Sequence, residues 1–131
     1  MTSRTIVVID DEPHIRHVIG RKLQRAGYRV HTASDGAEGL ELAREFRPDL
    51  LITDLQMPNM DGFKVCTVCR EDPQMRNLPI ILVTGSVITT ADIRSKTDVL
   101  GNILCISKPF SPRKLLQKVK DIMDSGNRRV N

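Results

Sequence analysis

Residues 79 to 84 read Pro-Ile-Ile-Leu-Val-Thr, with no polar side chain before the last position. The runs Ile-Val-Val-Ile at 6 to 9 and Leu-Leu-Ile at 50 to 52 are alike. A short strand that is apolar on both faces has to be covered on both faces. That condition is met by a parallel sheet with helices on either side. Segments of helical period separate the runs. From Pro13 to Ala26, Ile15, Val18, Ile19 and Leu23 recur at helical spacing, Pro13 suits a first turn, and Gly27 suits the end. The spacing predicts strands over 5–10, 28–33, 49–54, 79–84 and 102–107. It predicts helices over 13–26, 35–46, 62–71, about 89–99, and from Pro112 through Met123. Five strands alternating with five helices, joined by right-handed crossovers, make an open α/β sheet. Ligands of such sheets sit beyond the carboxyl ends of the strands.

The 131 residues suit one domain, and 40% hydrophobic with 27% charged residues is ordinary for a globular chain. Tryptophan is absent, so the core has to be aliphatic. No apolar run approaches the roughly 18 residues of a membrane span, and the first residues lack a secretory apolar region. A cytoplasmic location and no membrane partner are the expectation. Three irregularly spaced cysteines do not form a secreted disulfide framework, and reduced thiols fit better. Residues 1–107 hold 13 Lys/Arg against 14 Asp/Glu, and residues 108–131 hold 7 against 2, so the net charge of +4 belongs to the C-terminal segment. The expected organisation is a folded module over 1–124 and a basic tail over 125–131.

Chemistry collects where the strands stop. The first ends in Asp10 and Asp11, the third in Asp54 and the fourth in Thr84, and Lys108 follows the fifth. Were the first and third strands neighbours, three carboxylates would meet at one edge, where they repel and at least one pKa rises. A hard divalent cation such as Mg²⁺ relieves the repulsion, as does the ammonium of Lys108. A carboxylate so placed can be a nucleophile toward phosphorus, and Asp54 is the candidate. The plainer reading, in which Asp10 caps a helix and Lys108 is a surface cation, suits either residue singly. It does not account for five such residues at four strand ends.

Four motifs in order, "VVIDDEP", "LLITDLQMPNMDG", "ILVTG" and "ISKPF", resemble the receiver domain of two-component response regulators over residues 4 to 124. The resemblance implies a flavodoxin-like five-stranded parallel sheet of order 2-1-3-4-5 flanked by five helices. It implies Asp54 as phosphoacceptor and Mg²⁺ bound by Asp10, Asp11, Asp54 and the backbone carbonyl of Gln56. Thr84 and Lys108 would contact the phosphoryl group, and Lys108–Pro109 would be cis. The implied donor is a phosphohistidine on a sensor histidine kinase or a histidine phosphotransfer protein. The output would be a change in contacts with a downstream protein, with a phosphorylation-linked dimer left open. Such a domain transfers a phosphoryl group to itself and hydrolyses it slowly, without being an enzyme for an outside substrate. Because the chain stops soon after the fifth helix, a single-domain receiver is expected.

The sequence departs from the family at several points. Cys105 stands where Phe or Tyr is usual, so a ring at that switch position cannot report the state of Asp54. The stretch from Thr84 to Lys108 is about two residues longer than usual, and Asn102, Ile103 and Leu104 follow Gly101 where small residues are favoured. Gly85 replaces the common Ala, which leaves an expectation of open space beside it. Cys66 and Cys69 form a C-x-x-C pair, for which a core position is favoured over a metal or redox role. His14 and His17 are read as surface groups of the first helix. Two other functions share some of these features. An Asp-nucleophile Mg²⁺-dependent phosphohydrolase would need an acid or base where Gln56 stands, together with a cap domain. A phosphorylation-independent binding module would use the basic C-terminus, but the lack of interleaved aromatics weighs against nucleic acid as its partner.

Overall fold

In the computed structural model, residues 4–85 and 90–130 are described, with the backbone alone at 90 and 125–130. The predicted helix start at about 89, and the loop before it, lie outside the described residues. Five strands, β1 (Thr5–Ile9), β2 (Arg29–Ala33), β3 (Leu50–Asp54), β4 (Ile80–Thr84) and β5 (Ile103–Ser107), alternate with five helices. These are α1 (Pro13–Arg25), α2 (Gly36–Phe46), α3 (Gly62–Glu71), α4 (Thr90–Leu100) and α5 (Pro112–Val130). All neighbouring strands are parallel, in the order β2-β1-β3-β4-β5. The helix of α5 continues through the segment that the sequence reads as a tail.

The doubly apolar runs divide residue by residue between two cores. Val7, Ile9, Leu51, Ile80 and Leu82 face α2 and α3, where Leu40, Ala43, Val65, Cys66 and Cys69 meet them. Ile6, Val8, Leu50, Ile52, Ile81 and Val83 face α1 and α5, where Ile19, Leu23, Leu115 and Val119 meet them. Each fully buried aliphatic side chain contributes roughly 1.5–3 kcal/mol by leaving water, so the two layers together fix the register of β1, β3 and β4. At the edge, β5 is less covered, with Leu104 36% exposed.

Local chemistry sets the element ends. Asp35 and Asp61 cap α2 and α3 by accepting the Glu38 and Lys64 N–H groups at 2.8 and 2.9 Å. Beyond α1, Gly27 takes φ +100° while its N–H and that of Tyr28 donate to the Gln24 and Leu23 carbonyls. Among the described residues, no helix is long and apolar enough to cross a membrane.

Candidate phosphoacceptor site

The register places the acids. Ile6 to Ile9 of β1 pair with Leu50 to Thr53 of β3, so the next residues along, Asp10 and Asp54, leave the sheet at one edge. One carboxylate oxygen each from Asp10, Asp11 and Asp54 lies within 4.8 Å of the others. Asp10 and Asp54 are buried, at 2% and 5% exposure, and Asp11 is exposed. Burial pushes the carboxyls of both Asp10 and Asp54 above their ordinary value, and the neighbouring acids add to the rise. Opposing it, Asp10 accepts the Glu12 N–H at 2.9 Å, and Asp54 has Lys108 and the Gln56 N–H.

Lys108 arrives from the far side of the sheet. Its N–H donates to the Thr84 carbonyl at 2.7 Å, which extends the β4–β5 ladder one step past Thr84 and Ser107. Its Nζ donates to Asp54 Oδ2 at 3.2 Å and stands 3.9 Å from Asp10 Oδ2. Partial burial works to lower the ammonium pKa, but the charges of Asp54 and Asp10 outweigh it and raise it. The Lys108–Pro109 peptide is cis. Thr84 is buried at the end of β4, beside the strand that carries Asp54.

The structure therefore brings Asp10, Asp11, Asp54, Lys108 and the end of β4 to one edge. Gln56 follows Asp54 as an exposed loop residue. Cys105 lies one strand further out. It is exposed and lines a cavity of about 350 Å³ between α4 and β5 with Thr84, Ile93 and Thr97. Cys66 and Cys69 have no exposed surface, and burial pushes their thiols up to about 12 and about 11, so they are neutral core groups. His14 and His17 are exposed. The open space expected at Gly85 is not there, because the Lys108 stem fills it and a methyl group at Gly85 would lie 3.3 Å from Lys108 Cβ and Cδ.

Two residues escaped the sequence reading. At Gly62, a Cβ would lie 2.5 Å from the Asp54 carbonyl oxygen and 2.9 Å from Leu55 Cα, so only glycine lets α3 start against the end of β3. Its place in the turn-rich "MPNMDG" run was the available signal. Arg16 donates from Nη1 to the Asp10 carbonyl at 2.8 Å, a contact that no motif announces.

The donor set is hard oxygen, partly desolvated and short of positive charge, which suits Mg²⁺ better than a softer metal. A model of the response regulator receiver domain matches residues 6–120. The chain is 38% identical to the alkaline phosphatase synthesis transcriptional regulatory protein PhoP of Bacillus subtilis, over 92% of this chain and 49% of that protein. It is 35% identical to a probable transcriptional regulator, ycf27, of Guillardia theta, over 97% of this chain and 48% of that one. It thus spans about half the length of these curated relatives. The Vibrio cholerae chemotaxis protein CheY4 superposes with a TM-score of 0.85 at 32% identity, over 92% of this chain and 99% of the other. A CheY-like receiver domain protein from Methanospirillum hungatei superposes with a TM-score of 0.88 at 25% identity, over 98% and 99%. With the family model matching residues 6–120 and the same fold in solved receiver structures, the chain belongs to the response regulator receiver domain family.

Proposed function

We propose that this receiver accepts a phosphoryl group on Asp54 from a phosphohistidine of a sensor kinase or phosphotransfer protein, and that this changes its contacts with a downstream protein. Receiver domains are signalling modules that bind Mg²⁺ at an acidic pocket and work with histidine kinases and effectors. One arrangement supports the reading above all: a buried carboxylate on a strand end, 3.2 Å from an ammonium and within 4.8 Å of two further carboxylates. Asp10, Asp11, Asp54 and the Gln56 carbonyl would hold Mg²⁺, which supplies charge neutralisation for the phosphoryl oxygens.

The roles of the chain's own groups follow from their places. An Asp54 carboxylate oxygen attacks phosphorus, the bond from phosphorus to the donor nitrogen breaks, and an acyl phosphate forms. Lys108, already paired with Asp54, shifts its ammonium to the incoming oxygens, and the Thr84 hydroxyl donates to them. Water releases phosphate slowly, because Gln56 offers no acid or base two residues after the acceptor. With Cys105 at the usual aromatic position, the signal travels outward by another route, and the cavity beside Thr84 and Thr97 gives α4 room to move. A reducing cytoplasm would suit the three free cysteines, of which Cys105 is exposed.

Labelling with acetyl phosphate or a donor kinase tests the reading. The wild type takes up one Mg²⁺-dependent label, Asp54→Ala none, and Lys108→Ala some label without the conformational change. A full label on Asp54→Ala, or steady turnover of phosphate monoesters by the wild type, would reject it.

A further inference from the structure

Asp10 and Asp11 are joined by a peptide whose carbonyl is the one Arg16 grips. That peptide is planar, so fixing the carbonyl direction also fixes the plane leading to Asp11 Cα. The turn from β1 into α1 needs such a restraint. Glu12 occupies the N-cap without a side-chain cap bond, and Pro13 has no N–H to give. The remaining polar groups of Asp10 are tied as well. Its N–H donates to the Ala33 carbonyl at 3.1 Å, and Oδ1 accepts the Glu12 N–H at 2.9 Å. Oδ2 is left facing Lys108 and the acidic edge. Arg16 is itself anchored, since its N–H closes the first turn of α1 on the Glu12 carbonyl at 3.0 Å.

We propose that Arg16 is a positioning residue for the Mg²⁺ ligands, setting the Asp10–Asp11 peptide so that both carboxylates are held ready for the cation. The inference rests on the metal-binding reading above. Groups that orient metal ligands without touching the metal commonly account for about tenfold or more in affinity. The sign of the effect separates positioning from charge. Removing a cation near three carboxylates would by itself tighten Mg²⁺ binding, whereas loss of a positioning bond weakens it.

The experiment titrates Mg²⁺ calorimetrically into metal-free wild type, Arg16→Met and Arg21→Met, and follows thermal melting without Mg²⁺. Arg21 is an exposed cation of the same helix. The Kd of Arg16→Met should rise about tenfold, and that of Arg21→Met should stay at the wild-type value. The Mg²⁺-free melting temperature should change little, and acetyl phosphate labelling should return to the wild-type rate at saturating Mg²⁺. An unchanged or lower Kd for Arg16→Met, or a labelling defect that saturating Mg²⁺ leaves in place, overturns the inference. Should Arg16→Met not fold, Arg16→Lys, which keeps the charge and loses the planar fork, is held to the same direction. Wild type without Mg²⁺ binding overturns the underlying function as well; a normal wild-type isotherm beside an unaltered variant overturns the positioning role alone.

Discussion

Asp54 sits where a charged carboxylate is least welcome, and the cost has a measurable sign. Burial raises the carboxyl pKa of Asp54 and Asp10 in the folded chain. A carboxyl that holds its proton more tightly when folded reduces stability as pH rises from its unfolded pKa through its folded one, and the loss is complete above that. In metal-free protein at pH 7, Asp54→Asn should therefore raise the melting temperature by about 4 °C, corresponding to about 1 kcal/mol. The gain should shrink toward zero as pH falls below the ordinary carboxylate pKa of about 3.9. Melting curves in chelator at a series of pH values check this, and an Asp54→Asn protein less stable than wild type at pH 7 would contradict it. Lys108 has the opposite dependence, with its stabilisation present below its unfolded pKa and lost as pH rises through the raised folded value. The acids and the lysine were legible in the sequence because their types and places at strand ends carry the chemistry. Arg16 and Gly62 were not, since each acts through a backbone atom of a residue brought near only by folding.

At the scale of elements, α4 is the least secured of the helices by apolar packing. Ile93 and Thr97 are its buried side chains among the described residues, and Val99 is 84% exposed. Its C-terminal end is held instead by one side chain of α3. Arg70 donates from Nε to the Leu100 and Gly101 carbonyls at 3.2 and 3.1 Å, from Nη1 to Met75 at 3.3 Å, and from Nη2 to Asn102 at 3.2 Å. Lys96, over the Phe63 ring at 4.6 Å, is a second tie between the two helices. Arg70→Met should cost about 1–3 kcal/mol, because several carbonyls lose their donor together. Amide exchange should quicken over residues 98–103 and stay slow in β1. Equal acceleration across the whole chain would show that Arg70 supports the fold at large and not this turn. The sequence read element types well, because doubly apolar runs and 3.6-residue spacing are local signals. It placed one end of each strand one residue too far out and saw nothing of Arg70, whose partners at 100–102 lie some thirty positions along the chain.

Across the whole molecule, three strands converge on one ion-sized space. Asp10 follows β1, Asp54 ends β3 and Lys108 follows β5, with β4 lying between β3 and β5. The strand order followed from the resemblance and not from the pattern alone, since alternating strands and helices permit other orders. A cation at this edge binds the folded chain only, because no unfolded ensemble keeps residues 10, 11 and 54 together. Stabilisation should then follow RT ln(1 + [Mg²⁺]/Kd), about 1.4 kcal/mol at ten times the Kd, or about 5 °C for a domain of this size. The same concentration should leave Asp11→Asn nearly unmoved. Asp11 is exposed, so that substitution removes a proposed ligand with little disturbance to the core. Binding also has to displace protons from carboxyls whose pKa values are raised, so the Mg²⁺-induced shift should fade as pH falls into their titration range. An equal shift in Asp11→Asn, or one that persists once those carboxyls are protonated, would place the ion elsewhere. A shift that disappears in both cases would tie the acidic edge, rather than general ionic strength, to the stability of the fold.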